Sequence, residues 1–264
     1  MQEEALGEGT YLYCVANHGR RASFGSIGLD NAIVHAVPFR DIAAVVHPCR
    51  ADPYRTDDPK KAKRWILAHQ YVVDLATARF GTVIPSAFDT IFRGGESEVE
   101  GWLEEEYEQL IGMLRRFRGK AEYGVKVYID EGRIKEALDG NTEILKLRKS
   151  LEDKPDGFTY LMRKRLEQRE RVQRQVETSV LSEKILKEIT GIVDEMKIDG
   201  KKLDSGEEYE GKAILLSLSC LVKDENVDAL GSILGDLNGS NSLAVRFTGP
   251  WPPYSFISGL HEGR

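Results

Sequence analysis

One stretch of this sequence, Gly206 to Lys212, has residue types and spacing that suggest phosphate chemistry. The spacing matches that of a phosphate-binding loop as far as the lysine. However, Ala213 stands where such a loop needs a magnesium-binding Ser or Thr, and a strand-like segment follows where a helix is required. The three glutamates inside the stretch would also repel a phosphate group. The stretch is therefore interpreted as a polar loop.

The histidines and cysteines do not complete a metal site or a catalytic set in the sequence. His47 and Cys49 can face one side of an extended segment, and His35 can approach from a neighbouring strand. A zinc ion needs three or four ligands, and no CxxC or HxxxH spacing supplies the others. Cys14 and Cys220 lie in apolar segments and are expected to be buried thiols in a reducing compartment. We therefore predict no catalytic residue, no cofactor and no metal.

Aromatic side chains and prolines are concentrated near the C-terminal end, from Gly249 to Phe256. Three prolines in four positions restrict the backbone and remove three hydrogen-bond donors, so we expect the segment to leave a strand and to lie outside both helix and sheet. A rigid segment can present aromatic rings at little cost in conformational entropy. We predict a partner-binding surface made of Trp251, Pro252, Tyr254 and Phe256. The alternative is that these side chains cover a hydrophobic core.

A basic run on a long predicted helix is the second candidate surface, and its members are Arg163, Lys164, Arg165, Arg169, Arg171 and Arg174. It can be an exposed helix face on which Glu167 and Glu170 form intrahelical pairs. It can also be a docking face for an acidic partner, and we assign Arg165 and Arg169 to that role. RNA binding is disfavoured because no aromatic side chains interleave the arginines to stack on bases.

Composition narrows the class of protein. The chain has 264 residues, of which 41% are hydrophobic and 30% are charged, as is usual for a soluble globular protein. A net charge of −6 argues against non-specific binding to nucleic acid. No apolar run approaches the roughly 20 residues that span a bilayer, and the N-terminus is acidic. We expect a soluble protein of the cytoplasm that binds neither nucleic acid nor a lipid membrane.

The elements that must position these candidates alternate between strands and helices, which is typical of an α+β fold. Strands are predicted at residues 10–16, 32–37, 42–47, 122–130, 212–222 and 243–247, with an extended piece at 82–92. Helices are predicted at 60–79, 96–117, 132–149, 157–196 and 226–237. We predict two domains, residues 1–118 and 119–264, with a ferredoxin-like plan as the simplest template and a long helical insertion in the second.

Four segments in the same order resemble the gas vesicle protein F/L family, whose members are accessory proteins encoded beside the small protein that builds the vesicle wall. They are Tyr11–Val15, Thr82–Phe92, Glu122–Val127 and the octet Gly249–Phe256. Two positions depart from the family pattern. Ala87 stands where the family usually has a basic residue, and Asp89 where it usually has glycine.

The resemblance implies both a fold and a role. It implies an N-terminal ferredoxin-like α/β domain and a C-terminal α+β domain with added helices. It also implies a non-enzymatic accessory or minor structural protein of gas vesicle assembly, which contacts the small hydrophobic, GvpA-like wall protein and other accessory proteins. A wall subunit exposes apolar surface before it is assembled, and a partner must cover that surface. The expected locations are the cytoplasm and the gas vesicle.

A different class of function remains open at this point. A small-molecule enzyme or ligand-binding protein would use a cleft between the domains, with Tyr11, His69 and Lys126 as its polar side chains. That hypothesis requires these side chains to be accessible to water.

Overall fold

The computed structural model describes residues 7–152, 156–200, 209, 211–240 and 242–258. Ten strands and seven α-helices occur within those ranges, which confirms the predicted α+β class. The strands are β1 (Glu8–Ala16), β2 (Ala22–Gly25), β3 (Val34–Phe39), β4 (Ile42–Arg50), β5 (Val83–Pro85), β6 (Ile91–Arg93), β7 (Lys120–Asp130), β8 (Glu195–Ile198), β9 (Lys212–Lys223) and β10 (Leu243–Trp251). The helices are α1 (Pro59–Phe80), α2 (Glu96–Glu105), α3 (Tyr107–Phe117), α4 (Glu131–Asp139), α5 (Thr142–Glu152), α6 (Asp156–Thr190) and α7 (Val227–Asn238).

The chain divides into two units. The first contains the residues up to Glu122 together with those from Pro250 onward, and the second is Tyr123–Gly249. The domain boundary predicted between residues 118 and 119 stays a prediction, and it lies close to this division. The residues from Pro250 onward group with the first unit, although the prediction had placed them in the second domain.

The first unit is organised around strand β1. Its sheet has the order β2-β3-β4-β1-β5, and β6 also pairs with β1. Because β1 has neighbours on both sides, all of its residues after Glu8 are buried. Antiparallel pairing with β4 sets Tyr11 opposite His47, and the register shifts at a bulge between Leu12 and Cys14. The sheet therefore brings a tyrosine and a histidine together in the core.

Helix α1 packs on this sheet and has clear signals at both ends. The Asp58 carboxylate accepts a hydrogen bond from the Lys60 amide at 2.9 Å, and a proline begins the helix. Gly81 ends it at a φ of 80°, with its amide bonded to the Thr77 carbonyl. The helix buries one face, made of Trp65, His69, Val72, Val73 and Ala76. These signals explain why the predicted helix at 60–79 is correct to within a residue at each end.

The second unit follows the order strand, helices, two strands, helix, strand. Its sheet has the order β10-β7-β9-β8, with α4, α5 and α6 between β7 and β8 and with α7 between β9 and β10. The three helices between β7 and β8 correspond to the helical insertion expected from the sequence. No helix in the described ranges is both long and apolar enough to cross a bilayer.

Four element predictions were wrong. The helix predicted at 132–149 is the two helices α4 and α5, because Gly140 ends the first and the Asn141 side chain caps the second by accepting hydrogen bonds from the Glu143 and Ile144 amides. The helix predicted at 96–117 is two helices, because Glu106 has a non-helical ψ of 6°. The helix predicted to end at residue 196 ends at Thr190, and Met196 instead pairs with Cys220 in the sheet. Strand β10 continues through Pro250 to Trp251, although the prolines were expected to lie outside a sheet. Since β10 is the terminal strand of its described sheet, it can tolerate a residue without an amide donor.

Candidate partner-binding surfaces

The residues after β10 fold onto the first unit. Tyr254 to Phe256 form a single 3-10 turn, in which the Phe256 amide donates to the Pro253 carbonyl at 3.1 Å. The amide and hydroxyl of Ser255 donate to the two oxygens of the Glu122 carboxylate, at 2.8 and 2.6 Å. Glu122 is buried, and such charge-assisted hydrogen bonds offset the cost of burying a carboxylate. This contact holds the segment in place.

Tyr254 joins the same segment to helix α1. Its hydroxyl donates to Gln70 Oε1 at 3.3 Å, and its ring packs against the apolar core of the first unit. Burial raises the pKa of Tyr254 well above its usual value, so the phenol is neutral at physiological pH. Tyr254 therefore acts here as part of the fold.

The four C-terminal residues predicted to bind a partner have different environments. Trp251 is 44% exposed, whereas Phe256 is 1% exposed. Pro252 is buried and Tyr254 is partly buried. The alternative, in which the side chains cover a core, therefore describes Phe256 and Pro252. Contact with a partner stays a prediction, and Trp251 is the exposed residue that can make it.

Helix α1 carries exposed apolar side chains, and the C-terminal segment that contains Trp251 contacts the same helix through Tyr254. Ile66, Leu67 and Tyr71 are each more than half exposed. Ile66 and Leu67 lie one helical turn before Gln70 on the helix surface, because residues three and four apart are neighbours, and Leu67 and Tyr71 are neighbours for the same reason. Gln70 holds Tyr254, and Trp251 is three residues before Tyr254, a distance of at most about 11 Å along the chain. Ile66, Leu67, Tyr71 and Trp251 together are called the α1 surface.

The periodicity of α1 contains a signal for this surface. At about 100° per residue, the buried side chains of α1 occupy one arc of roughly 100°, and Ile66, Leu67 and Tyr71 fall outside it. Ile66 lies just beyond the edge of the buried arc and is 55% exposed. The helical period alone therefore predicts that these three side chains lie outside the buried face.

Arg165 and Arg169 lie together at a groove between α5 and α6. The groove encloses about 420 Å³ and is lined by Glu143, Leu147, Arg165, Gln168, Arg169 and Val172. Arg169 Nη2 is 3.0 Å from a Glu143 oxygen, and both side chains are largely exposed. Arg148 joins the two helices by bonding to Glu170 of α6 at 2.7 Å and to Asp139 at the end of α4. The structure therefore places the two predicted arginines side by side on α6, which ion pairs join to α5.

A cluster of aromatic and histidine side chains fills the core under α1. The Tyr11 hydroxyl lies 2.9 Å from His69 Nδ1 and accepts a hydrogen bond from the Asp89 amide. His47 Nε2 lies 3.0 Å from the Tyr54 hydroxyl, and its ring stacks on Tyr11 with the centroids 5.0 Å apart. Burial lowers the pKa of both His47 and His69 to about 4, so both imidazoles are neutral at physiological pH.

This cluster does not have the properties of a catalytic site. Tyr11 is 0% exposed and His69 is 4% exposed, so the accessible polar residues required by the cleft hypothesis are not present at these positions. Lys126 lies on β7 in the other unit. His35 lies 2.8 Å from a Glu96 oxygen, and no group of three potential metal ligands occurs among the residues that the structure describes.

Two of the thiols, those of Cys14 and Cys49, are poor nucleophiles. Burial raises the pKa of Cys49 to about 11 and raises that of Cys14 further. The possible phosphate loop falls mostly outside the described residues, which include neither 206–208 nor 210. Lys212, its last residue, begins β9, as the sequence predicts.

Asp89 shows why one departure from the family pattern is tolerated. Its φ is 72°, in the left-handed region that favours glycine and that aspartate enters more readily than most residues. The Asp89 carboxylate accepts a hydrogen bond from the Tyr54 amide at 2.8 Å, which offsets part of the strain. At the other departure, the Ala87 carbonyl accepts a hydrogen bond from the Thr90 hydroxyl at 2.8 Å. Both positions belong to the turn that supports the buried cluster.

Comparison with known proteins gives one consistent family. The family model described as "Gas vesicle synthesis protein GvpL/GvpF" matches residues 9–258. Gas vesicle protein L1 of Halobacterium salinarum is 31% identical over 260 residues, which cover 97% of this chain and 92% of that protein. Gas vesicle protein L2 of the same organism is 33% identical over 95% of this chain and 92% of its own length.

Solved structures show the same fold. The crystal structure of the gas vesicle protein GvpF from Anabaena sp. PCC7120 has a TM-score of 0.77 and 19% identity, covering 96% of this chain and 100% of that one. GvpF from Microcystis aeruginosa has a TM-score of 0.69 and 17% identity, covering 94% of this chain and 98% of that one.

Proposed function

Because the chain belongs to the gas vesicle synthesis protein GvpL/GvpF family, we propose that it is a non-enzymatic accessory or minor structural protein of gas vesicle assembly. It binds the small hydrophobic, GvpA-like wall protein and other accessory proteins, and it works in the cytoplasm and at the gas vesicle. The observation that carries the proposal is the family match, which extends over residues 9–258.

The α1 surface supports wall-protein binding. Ile66, Leu67, Tyr71 and Trp251 keep between 44% and 56% of their surface exposed. Full burial of such a side chain contributes about 1.5–3 kcal/mol, so covering the exposed part of each contributes about 1 kcal/mol. Most of Trp251 and Tyr71 is apolar and rigid, which limits the entropy lost on binding. The surface thus suits a partner that presents apolar side chains of its own.

The buried core supports a role without catalysis. The side chains that most resemble catalytic groups are Tyr11, His47 and His69, and each is less than 5% exposed. Their neutral hydrogen bonds stabilise the sheet and the helix that carry the α1 surface. The cluster therefore serves as a support for the binding surface.

For the fold, we propose that the two units are two domains and that the second has the ferredoxin-like plan. Its element order and its strand order of β10-β7-β9-β8 support that assignment. The plan was predicted as the template for each half, and the resemblance implies it for the N-terminal domain. Because the first unit has the different order β2-β3-β4-β1-β5, we propose the plan for the second unit alone.

The test is co-purification of the intact protein with the wall protein. Leu67→Ser/Tyr71→Ser and, separately, Trp251→Ala remove apolar area from the α1 surface at positions that are exposed. The matched control is Ile33→Ser/Ile198→Ser, which alters two equally exposed apolar side chains elsewhere. We expect the parent and the control to retain the wall protein. Leu67→Ser/Tyr71→Ser should lose at least about tenfold in affinity, equivalent to 1.4 kcal/mol, and Trp251→Ala about fivefold, equivalent to about 1 kcal/mol.

Two results would contradict the proposal. Equal retention by all variants would mean that the wall protein binds another surface. Failure of the parent protein to retain the wall protein would reject direct binding to it. Circular dichroism of each variant checks that the fold is intact.

A further inference from the structure

Helix α6 carries a row of apolar side chains that the described chain leaves uncovered. Leu161 is 72% exposed, and Val172, Val176 and Val180 are each about half exposed or more. Their spacing places them, with Arg165 and Arg169, in an arc of about 100° that extends for roughly 29 Å along the helix. These six residues are called the α6 stripe.

The valines of the α6 stripe are unfavourable for a helix that remains exposed to water. A β-branched side chain loses rotamer freedom in a helix, and a lysine, glutamate or alanine would suit an exposed position better. In a buried position, packing offsets this cost, but Val176 and Val180 are 50% and 63% exposed. The stripe therefore has the composition of a helix face that packs against another element.

The charged residues of the stripe are all positive. Arg165 and Arg169 are one helical turn apart, and no acidic residue of α6 lies within the stripe between residues 161 and 180. Arg169 pairs with Glu143 across the groove, whereas Arg165 forms no ion pair with any residue that the structure describes. An occupant with carboxylates one turn apart would match this arginine pair, since arginine binds carboxylates through two parallel hydrogen bonds.

We propose that the α6 stripe and the adjoining α5–α6 groove bind an acidic amphipathic helix of a partner protein. The partner helix places its apolar side chains on Leu161, Val172, Val176 and Val180, and its carboxylates reach Arg165 and Arg169. The groove, which encloses about 420 Å³ beside Leu147 and Val172, admits side chains from the partner. The inference rests on the proposed function in that an accessory protein needs protein partners, but it concerns a surface other than the α1 surface.

The experiment measures the binding of a synthetic probe to the intact protein by fluorescence anisotropy. The probe is a labelled helical peptide of roughly 21 residues, or three heptads, with a leucine seam flanked by glutamates. A matched peptide carries lysine in place of every glutamate. We expect the glutamate peptide to bind at least about tenfold more tightly, and we expect its affinity to fall as salt screens the charges.

Matched variants locate the binding site. Arg165→Glu/Arg169→Glu reverses two charges inside the stripe, and Arg163→Glu/Arg174→Glu makes the same charge change on the opposite side of α6. The first pair should reduce binding at least about tenfold and the second less than about threefold. Val176→Ser/Val180→Ser should also weaken binding, because it removes apolar area without changing charge.

The proposal is overturned if the two peptides bind equally, if neither binds, or if both arginine pairs have the same effect. Helical content measured by circular dichroism verifies that each variant is folded. If the peptide does not bind, the proposed binding of the wall protein still stands. The reason is that the α1 surface is intact in all of these variants, so they should still retain the wall protein. Conversely, peptide binding with no retention of the wall protein would reject the proposed wall contact and retain the α6 stripe.

Discussion

Helices α1 and α6 differ in how much of their apolar surface the chain itself covers. The 22 residues of α1 bury five side chains in one continuous face against a sheet. The 35 residues of α6 bury only Ile185 and Ile189 among the side chains described from residue 160 onward, and both lie near its end. Because most helical stability in proteins comes from packing of an apolar face, α1 is part of a core, whereas much of α6 is a surface.

The difference also appears in the kind of chemistry that each helix carries. α1 places His69 in a neutral network with Tyr11, where no charge is available to a partner. α6 places Arg165 and Arg169 in water beside exposed valines. Buried polar groups specify a fold, and exposed mixed surfaces specify partners. The protein therefore separates the residues that hold it together from those available for binding.

The largest expected difference between the two regions is in how acid changes the free energy of unfolding. His47 and His69 have a pKa of about 4 in the folded state, below the ordinary value of 6.5. The unfolded state therefore binds more protons between pH 6.5 and 4, and the free energy of unfolding falls as the pH is lowered through that range. Each histidine contributes at most about 3 kcal/mol, which is fully present above pH 6.5 and progressively lost down to pH 4.

This loss should be confined to the first unit, because all five histidines in the sequence lie outside Tyr123–Gly249. All three tryptophans also lie outside that range, so tryptophan fluorescence reports on the first unit. Urea unfolding at pH 7 and pH 4.5 should show a large fall in the fluorescence midpoint. An unchanged midpoint would mean that the two histidines are not buried and neutral.

The second test removes a core side chain from α1. Trp65 is 5% exposed, and its indole nitrogen donates to Asp30 at 2.9 Å. Trp65→Ala should lower the free energy of unfolding by about 3–5 kcal/mol, because it leaves a cavity in the core. Urea unfolding followed by circular dichroism measures the change. A loss below about 1 kcal/mol would place Trp65 outside the core.

The smallest effect is expected on α6. Val176→Ala removes an exposed side chain and introduces a better helix former, so the free energy of unfolding should change by less than about 0.5 kcal/mol, with a gain favoured. The same urea experiment applies. A loss above about 1 kcal/mol would show that Val176 is covered within its own chain, and the contrast between α1 and α6 would fail.

Most regular elements could be predicted because their signals are local. The ends of α1 follow from Asp58, Pro59 and Gly81, which cap a helix through their own backbone and side-chain chemistry. Strand β8 could not be predicted, because its four residues are extended only through pairing with residues of β9 that are at least twenty positions away. The break between α2 and α3 likewise carries no proline or glycine at Glu106 to mark it.

The candidate surfaces show the same limit. The basic run was visible in the sequence, but the placement of Arg169 against Glu143 depends on how α5 packs on α6. At the C-terminal segment, composition identified aromatic residues without distinguishing Trp251, which is exposed, from Phe256, which is buried. Both residues are apolar and lie in the same segment, and only the tertiary contacts of each side chain decide which one is exposed to water.

By itself, the sequence determined the α+β class, the caps of α1, the stiffness of the proline segment and the charge of α6, since each depends on residues that are close together in the chain. Tertiary structure alone decided that Ser255 bonds to Glu122 and that Tyr254 reaches Gln70, pairs separated by 133 and 184 positions. The physical reason is that local stiffness sets the direction of a segment, whereas burial depends on what distant parts of the chain place over it.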